Sequence, residues 1–290
     1  MRTSLKSAAA PAAAAAPDLR FRPAGPGAFQ FSTGALEGML RPDGRSNGLR
    51  PLVHSATGTP VAAGMGLLGV YRVFSDGRRY GDGQWYVPSD ATLLPDGAVD
   101  VRWPAAADRP YELETVYRWS GPAALDLEVE VRATADLRGY EAFLASYFTP
   151  PFTGAAALAR THGLLAADRD SGVWQMFPRD AAAAALIRDG RWKLPPSPVD
   201  WVIRPEYELP AAIRRHLATG LTIAILAQRE GCFALSAPNE GEGHYSLYLS
   251  LFGRDFKKGE SARTRLRLHV LPGCAEEEIR ALYRAFAQAR

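Results

Sequence analysis

The sequence is poor in cysteine, since Cys232 and Cys274 are the only two among 290 residues. Two cysteines cannot build a disulfide framework or a zinc site with four cysteine ligands. Because free cysteine behaves as a small apolar residue, we expect two free thiols, with a single bridge between them as the alternative.

Long apolar runs and an excess of one charge are also lacking. No stretch approaches the roughly 18 consecutive apolar residues that a transmembrane helix requires. The formal net charge is +3, and no run of Lys or Arg forms a basic stripe. We therefore expect neither a membrane nor a nucleic acid as a partner. The hydrophobic fraction of 47% is enough for a large core.

Motifs for cofactors and metals are absent from the sequence as well. It contains no GxGxxG or Walker-type loop for nucleotides, no HExxH pattern for zinc and no GxSxG elbow for a serine hydrolase. The five histidines are far apart along the chain, so their spacing gives no support for a metal site. We expect no cofactor and no metal, and any active site must be assembled from separate strands and loops.

The first twenty residues, "MRTSLKSAAAPAAAAAPDLR", are rich in alanine and are interrupted by prolines. Arg2 and Lys6 ahead of the alanines resemble a signal peptide, but alanine alone makes a weak hydrophobic segment. We predict a disordered leader over residues 1–20 and one domain over residues 21–290. A cytoplasmic location is our preferred interpretation, and a periplasmic or secreted one stays open if the leader acts as a weak signal peptide.

From Phe21 onward, short runs of alternating apolar and polar residues separated by Gly, Pro, Asn and Asp predict an all-β fold. In "LDLEVEVRA" (125–133) every second residue is apolar, which is the pattern of a strand with one buried face. "YELETVYRW" (111–119) is its expected hairpin partner, and "LTIAILAQ" (221–228) has the continuous apolar character of a strand covered on both faces. Further strands are predicted in "GCFALSAP", "YSLYLSLF" and "RTRLRLHVL".

The clearest helical pattern lies at the C-terminus. In "AEEEIRALYRAFAQAR", Ile279, Leu282, Tyr283 and Phe286 follow the i, i+3, i+4, i+7 spacing of an amphipathic helix. Three glutamates precede them and favour a helix N-terminus. We expect this helix to pack over a sheet. "RDAAAAALIRDG" (179–190) leaves two interpretations open, a short helix or a loop followed by a strand.

The segment "LDLEVEVRATADLRGYEAFLASYF" (125–148) resembles a stretch typical of galactose mutarotase-like, or aldose 1-epimerase-like, proteins. In that family a long amphipathic strand leads through a loop into a second strand that ends in a His-x-Tyr-Phe type motif. "GLRPLVHSATGTPV" (48–61) resembles the family's early strands, and the region from "GCFALSAP" to "RTRLRLHVL" resembles its C-terminal portion. The resemblance implies a β-supersandwich of large antiparallel sheets, to which the helical pattern adds a C-terminal helix.

The sequence departs from the catalytic pattern of that family at two positions. The motif's histidine would fall on Ala145 in a strict alignment, or on Ser146 with one residue of slack, and neither exchanges protons near neutral pH as imidazole does. The family's catalytic Glu corresponds to Ser236 in "LSAP". Anomer interconversion needs one group to take the C1 hydroxyl proton and another to protonate the ring oxygen. The resemblance therefore implies a sugar-handling fold without the standard mutarotase acid–base pair.

Aromatic and basic residues cluster in loop-like segments, among them "YRVFSDGRRYGDGQWYVPSD", "SGVWQMFPRD" and "DGRWKLPPSPVDW". Carbohydrate sites need flat apolar rings for the C–H side of a pyranose and planar donors for its hydroxyls, which Trp, Tyr and Arg supply. The structural alternative is that these aromatics only pack the loops against the sheets. The candidate substrate-binding residues are Arg72, Trp85, Tyr86, Trp174, Arg179, Trp192 and Tyr245.

Glu242 and His244 lie in "NEGEGHYSLY", the densest polar loop that precedes a predicted strand. They are our candidates for a catalytic acid–base pair displaced from the usual positions. The alternative is ordinary solvation of both side chains in a Gly-rich surface loop.

The sequence thus predicts a carbohydrate-binding protein whose partner is a small-molecule sugar or a polysaccharide. One alternative is a carbohydrate-active enzyme that uses displaced residues, namely a sugar epimerase, glycoside hydrolase or polysaccharide lyase. A lyase needs a base for the proton next to a uronate carboxylate and cations to hold that carboxylate, for which Arg72, Arg179 and His244 are candidates. The other alternative is a non-catalytic protein-interaction domain with a flat apolar face. Catalysis, the identity of the sugar and the oligomeric state are left open.

Overall fold

A computed structural model describes the protein over residues 17–41 and 43–289. Strands dominate these residues and a helix lies at the C-terminal end, which confirms the predicted all-β class with a C-terminal helix. The predicted leader falls mainly on residues 1–16, which lie outside the described residues, and residues 17–20 are irregular.

Between residues 22 and 147 the chain forms strands β1 to β12. They are β1 Arg22–Gly25, β2 Ala28–Ser32, β3 Leu36–Leu40, β4 Leu49–His54, β5 Thr59–Ala62, β6 Gly69–Ser75, β7 Arg78–Arg79, β8 Asp90–Leu93, β9 Val99–Trp103, β10 Tyr111–Gly121, β11 Ala124–Ala133 and β12 Leu137–Tyr147. Gly77, with a φ of +67°, occupies the sharp turn between β6 and β7. The predicted hairpin of β10 and β11 is present, with Leu113 opposite Val131.

The remainder of the chain forms strands β13 to β21 and two α-helices, as far as the described residues show. They are β13 Phe152–Ala159, β14 Gly163–Ala166, β15 Gln175–Pro178, α1 Ala181–Ile187, β16 Val202–Ile203, β17 Tyr207–His216, β18 Thr222–Ala227, β19 Cys232–Ser236, β20 Ser246–Phe256, β21 Ser261–Leu271 and α2 Glu276–Gln288. Helix α1 lies in the segment 179–190, so the first of the two interpretations of that segment, a short helix, is correct. Asp180 caps it, because its side chain accepts a hydrogen bond from the N–H of Ala183 at 2.8 Å.

Over residues 17–41 and 43–289 the strands form three sheets. Sheet I has the order β1-β2-β3-β4-β5, and sheet II has the order β14-β13-β17-β18-β21-β11-β10-β9-β8. Sheet III has the order β16-β15-β19-β20-β12-β6-β7. Most neighbouring strands are antiparallel, as in β12 beside β20, whereas β15 and β16 are parallel. Large antiparallel sheets are what the family resemblance implies.

The main core is formed by facing residues of sheets II and III and is continued by sheet I. Alternation along the strands places Leu127 and Val129 of β11, and Leu249 and Leu251 of β20, in this core. Burying one such side chain contributes about 1.5–3 kcal/mol to stability. The other face of sheet III does not contribute to this core, and its side chains form a separate cluster.

Helix α2 covers the other face of sheet II, as expected from its apolar stripe. Ile279 and Phe286 are buried against Ile213 of β17 and Leu226 of β18 in a separate cluster. The helix begins where the side chain of Glu278 accepts a hydrogen bond from the N–H of Ala275 at 2.7 Å. In the part of the chain that the structure describes, no helix is both long enough and apolar enough to span a bilayer.

Both cysteines are free thiols in the structure, as expected. Cys232 is buried in β19, and Cys274 is half-buried just before α2. Burial raises the pKa of the Cys232 thiol to about 12 and also raises that of Cys274. A thiol is nucleophilic as its thiolate, so neither cysteine is an activated nucleophile.

Candidate functional site

Strand β12 divides its side chains between two environments. Ala142 and Leu144 belong to the core between sheets II and III. Phe143, Ala145 and Tyr147 lie on the opposite face of the strand, in a cluster dominated by aromatic residues. The period of two along a strand produces this division, and it makes the outer face of sheet III an aromatic surface.

The positions that the sequence resemblance compares with the family's catalytic residues lie on defined faces of sheet III. Ala145 lies on the aromatic face, whereas Ser146 lies on the core side, where its Oγ accepts a hydrogen bond of 3.0 Å from the N–H of Leu68. Ser236 stands opposite Tyr248 in the ladder of β19 and β20, so it shares the aromatic face. Ala145 and Ser236 thus lie on one face of the sheet, and neither side chain exchanges protons near neutral pH.

A pocket of about 310 Å³ opens on this aromatic face. Its volume is at the lower end of the range for small-molecule sites, about 300–1,000 Å³. Its walls are mainly Trp and Tyr rings, and no Asp or Glu of the described residues lines it. Of the residues selected from the sequence, the pocket brings together Arg72, Trp85, Tyr86, Trp174, Trp192 and His244.

One wall comes from β6 and the 3₁₀ turn Gln84–Tyr86. The rings of Tyr71 and Trp85 stack, with centroids 4.2 Å apart and an interplanar angle of 8°. Gly83 permits this approach, because a Cβ there would lie 3.0 Å from Trp85 Nε1 and 3.2 Å from the Tyr71 ring. Tyr86 is 60% exposed and gives the pocket an aromatic rim.

A second wall comes from the connection between α1 and β16. Trp192 is buried there, with its ring centroid 4.6 Å from that of Phe143 and 5.3 Å from that of Trp201. Trp201 meets Trp174 edge to face at 5.7 Å. The N–H of Val199 donates to the carbonyl of Trp192 at 2.8 Å, which closes the intervening segment into a loop. The prolines of this loop restrict its backbone.

Arg72 supplies the guanidinium of the pocket and is only 5% exposed. Its Cζ lies 4.9 Å from the ring centroid of Tyr71 and 5.3 Å from that of Trp192. Among the described residues, neither Nε nor Nη1 has a hydrogen-bond partner. Burying a cation without partners costs free energy. The two unpaired nitrogens of Arg72 can still donate hydrogen bonds to an acceptor.

Glu242 and His244 form a hydrogen-bonded pair beside the pocket. His244 Nδ1 donates to Glu242 Oε2 at 3.0 Å, and the imidazole is 51% exposed while the carboxylate is fully buried. The other oxygen of Glu242 accepts a hydrogen bond of 2.6 Å from the N–H of Ser246. The carboxylate therefore orients the imidazole and leaves Nε2 as the nitrogen that can exchange a proton.

Arg214 of β17 lies fully buried behind this pair. It donates to the carbonyl groups of Ser246 and Pro238 at 3.0 and 2.8 Å, and its Nη2 lies 3.8 Å from Glu242 Oε1. Burial lowers the pKa of Arg214 to about 10, which still leaves it charged at neutral pH. Arg214 thus ties the loop before β20 to sheet II.

Arg179 and Tyr245, which the sequence selected as binding residues, do not line this pocket. Arg179 is held by an ion pair of 2.9 Å with Asp180 and by the carbonyl of Glu230 at 3.3 Å. Tyr245 adopts a left-handed φ of +52° and packs against the main core. Their sequence neighbours reach the aromatic face, but these two side chains are directed elsewhere.

Nine residues line the pocket that were not among the candidates, and three of them, Phe143, Tyr147 and Tyr248, belong to strands β12 and β20. Each stands in a strand that is buried on both faces, so hydrophobicity does not distinguish the pocket side from the core side. The available signal was the period of two, which separates Phe143 and Tyr147 from their core neighbours. Burial raises the pKa of both tyrosines above the usual value, so their hydroxyl groups stay protonated near neutral pH.

No protein-family model and no curated protein sequence matches the chain. Solved structures do match it. A galactose mutarotase-like protein from Lactobacillus casei ATCC 334 superimposes with a TM-score of 0.51 and 10% identity, over 84% of this chain and 100% of that one. A mutant of the heparan sulfate lyase HepC from Pedobacter heparinus gives a TM-score of 0.52 and 6% identity, over 89% of this chain and 37% of the lyase chain.

These similarities define the class of fold. The chain has a galactose mutarotase-like β-sandwich fold, as the resemblance of its sequence predicts. At 10% identity or less the likeness concerns architecture, and the chemistry has to be argued from the residues of the pocket.

Proposed function

We propose that the protein binds a carbohydrate in the pocket on the outer face of sheet III. The observation that carries this proposal is the combination of aromatic rings with an unpaired guanidinium in one cavity of about 310 Å³. The rings of Trp85 and Trp174 offer apolar faces to the C–H groups of a sugar, and Arg72 offers planar donors to its oxygen atoms.

The names of the proteins that share the fold support this proposal. One is described as galactose mutarotase-like and the other as a heparan sulfate lyase, so one name refers to a monosaccharide and the other to a polysaccharide. A protein-interaction surface would be flat and apolar. A recessed pocket that contains Arg72 and His244 favours a small polar ligand instead.

A glycan array, followed by titration of each bound sugar while tryptophan fluorescence is recorded, tests the proposal. Trp85, Trp174, Trp192 and Trp201 line the pocket, so we expect an occupied pocket to change the fluorescence. If no sugar binds at millimolar concentration, the proposal is wrong.

We expect Tyr86→Ala to weaken binding of a sugar found in this way by about 2- to 10-fold, through the loss of one aromatic contact. Tyr86 is 60% exposed, so its removal should cost the fold little. Leu217→Ala is the matched control, because Leu217 is 73% exposed and does not line the pocket. Equal affinities for the two variants would place Tyr86 outside the binding site.

The hydrogen bond of 3.0 Å between His244 and Glu242 favours a second candidate function, a carbohydrate-active enzyme. With Nδ1 donating to Glu242, His244 Nε2 is free to take a proton from a bound sugar or to give one to it. Glu242 would act by holding the imidazole in orientation. This pair would replace the acid–base residues that Ala145 and Ser236 do not provide.

Catalysis is tested by incubating each bound sugar with the protein and following its anomers and products by NMR. If a sugar is converted, we expect His244→Ala to lower the rate by about 100- to 10,000-fold, the usual contribution of a general acid or base. The affinity for the sugar should change much less, because stacking and Arg72 remain. If no bound sugar is converted by the unaltered protein, the enzyme proposal is wrong and the binding proposal stands.

A further inference from the structure

We infer that the sugar bound in this pocket carries a carboxylate, so that the ligand class is a uronate held by Arg72; this rests on the proposed function. The unusual state of Arg72 motivates the inference. The guanidinium is 5% exposed, and neither Nε nor Nη1 has a hydrogen-bond partner among the described residues. The nearby rings of Tyr71 and Trp192 attract the cation but accept no conventional hydrogen bond.

Other buried arginines of the described chain are supplied with partners. Arg191 is 6% exposed and pairs with Glu141 at 3.0 Å and Asp189 at 2.8 Å. Arg214 donates to several carbonyl groups, among them that of Pro238 at 2.8 Å. The fold therefore supplies these two buried guanidinium groups with acceptors, whereas Arg72 keeps two nitrogens without partners beside a cavity.

The polar groups around the pocket favour an anion. Among the described residues, Trp192 Nε1 and Trp201 Nε1 are further buried donors without partners, and no carboxylate lines the cavity. The adjacent acid, Glu242, is already engaged by His244 and by the N–H of Ser246. The pocket thus has a positive charge and unpaired donors within the residues of its walls, and no free negative group to oppose an acidic ligand.

A single carboxylate matches this charge better than a phosphate. Arg79, which lies close to Tyr71, already donates to the carbonyl groups of Gly81, Asp82 and Pro196, so Arg72 is the guanidinium of this region that has donors left for a ligand. A phosphate monoester carries about −1.5 to −2 charges at neutral pH, whereas a carboxylate carries one. The planar fork of a guanidinium also suits the planar carboxylate, to which it can donate two hydrogen bonds.

The test compares pairs of sugars that differ only in the acidic group. D-glucuronate against D-glucose, and D-galacturonate against D-galactose, are titrated into the full chain, with D-glucose 6-phosphate as a further probe. We expect each uronate to bind about 10- to 100-fold more tightly than its neutral partner, the effect of charge-assisted hydrogen bonds in a buried site. We also expect glucose 6-phosphate to bind more weakly than glucuronate.

Arg72→Met should remove this preference, and Arg72→Lys should keep part of it, because lysine retains the charge without the fork. Arg78→Met is the matched control, since Arg78 is exposed and does not line the pocket. Removing Arg72 strands no acceptor among the described residues but ends its contacts with the rings of Tyr71 and Trp192, so we expect Arg72→Met to lose at most about 2 kcal/mol of stability in urea when no sugar is present. A larger loss would identify a structural role and overturn the assignment.

The outcomes separate the two proposals. If none of these sugars and no glycan on the array binds, the carbohydrate proposal and the uronate inference both fail. If neutral sugars bind as tightly as uronates, the pocket binds sugars but the carboxylate assignment is wrong. A preference for glucose 6-phosphate over glucuronate, or a uronate preference that survives in folded Arg72→Met, overturns the inference as well.

Discussion

Replacing Arg214 with methionine is expected to lower the free energy of unfolding by about 3–5 kcal/mol. Methionine can occupy much of the space but donates no hydrogen bond, so the buried carbonyl groups of Phe152, Pro238 and Ser246 lose their donor. Each buried polar group left without a partner costs about 1–3 kcal/mol. The buried carboxylate of Glu242 also loses its nearby guanidinium. Urea denaturation followed by tryptophan fluorescence measures the loss.

Arg214→Lys is the matched control for this prediction. Lysine keeps the positive charge, but a single ammonium group cannot reach all the carbonyl groups that the planar guanidinium spans. The free energy of unfolding of Arg214→Lys should therefore lie between that of the unaltered protein and that of Arg214→Met. A loss below about 1 kcal/mol in Arg214→Met, which is the size of an average substitution, would show that Arg214 does not hold the loop of Glu242 and His244 in place.

The second large effect is expected at the buried ion pair of Glu141 and Arg191. Glu141 stands in β12 beneath the wall that carries Trp192, and its Oε2 accepts a hydrogen bond from Arg191 Nη1 at 3.0 Å. The Glu141 side chain is 0% exposed and that of Arg191 5%. Arg191→Met leaves this carboxylate buried without its cation, so we expect a loss of about 3–5 kcal/mol near neutral pH.

The loss in Arg191→Met should depend on pH. Burial raises the pKa of Glu141 and Arg191 opposes that rise, so removing Arg191 moves the folded-state pKa further above the unfolded value of about 4.3. Between the Glu141 pKa of the unaltered folded protein and that of the folded variant, only the variant keeps the proton, so the variant loses stability relative to the unaltered protein as the pH rises. The loss measured by urea denaturation should thus be larger near pH 7 than near pH 5. Equal losses at both values would contradict this account.

Glu141→Gln provides the control for the ion pair. It should cost less than Arg191→Met, because Asp189 still accepts from Nε and Nη2 of Arg191 at 3.0 and 2.8 Å. The double variant Glu141→Gln with Arg191→Met leaves no buried unpaired charge at this place. It should therefore be more stable than Arg191→Met alone, and this difference measures the coupling of the two residues.

The sequence predicted those elements whose two faces differ in polarity. Strand β11 and helix α2 lie within one or two residues of the predicted ranges, because each has one apolar face and one solvated face. Helix α1 stayed undecided because a run of alanines carries no amphipathic pattern. Its conformation is favoured by the cap that Asp180 supplies, which is a local interaction that the composition does not reveal.

The candidate site could be predicted only to the level of segments. The loops around Trp85, Trp174 and Trp192 do converge on one pocket, as their composition suggested. The direction of single side chains could not be predicted, because it depends on tertiary contacts. Tyr245 turns to the core through a left-handed φ of +52°, and Arg179 is captured by Asp180. The absence of partners for Arg72 Nε and Nη1 among the described residues likewise depends on the folded surroundings, so it could not be predicted from the sequence.

The two-sided character of β12 has a consequence for how such a protein can change. Alternating residues of this eleven-residue strand face the core between the sheets and the aromatic cluster beside the pocket. A mutant library confined to Phe143 and Tyr147, which line the pocket, would change the walls of the cavity while Ala142 and Leu144 continue to join the two sheets. The walls of the cavity and the core between the sheets can therefore be varied separately along one strand.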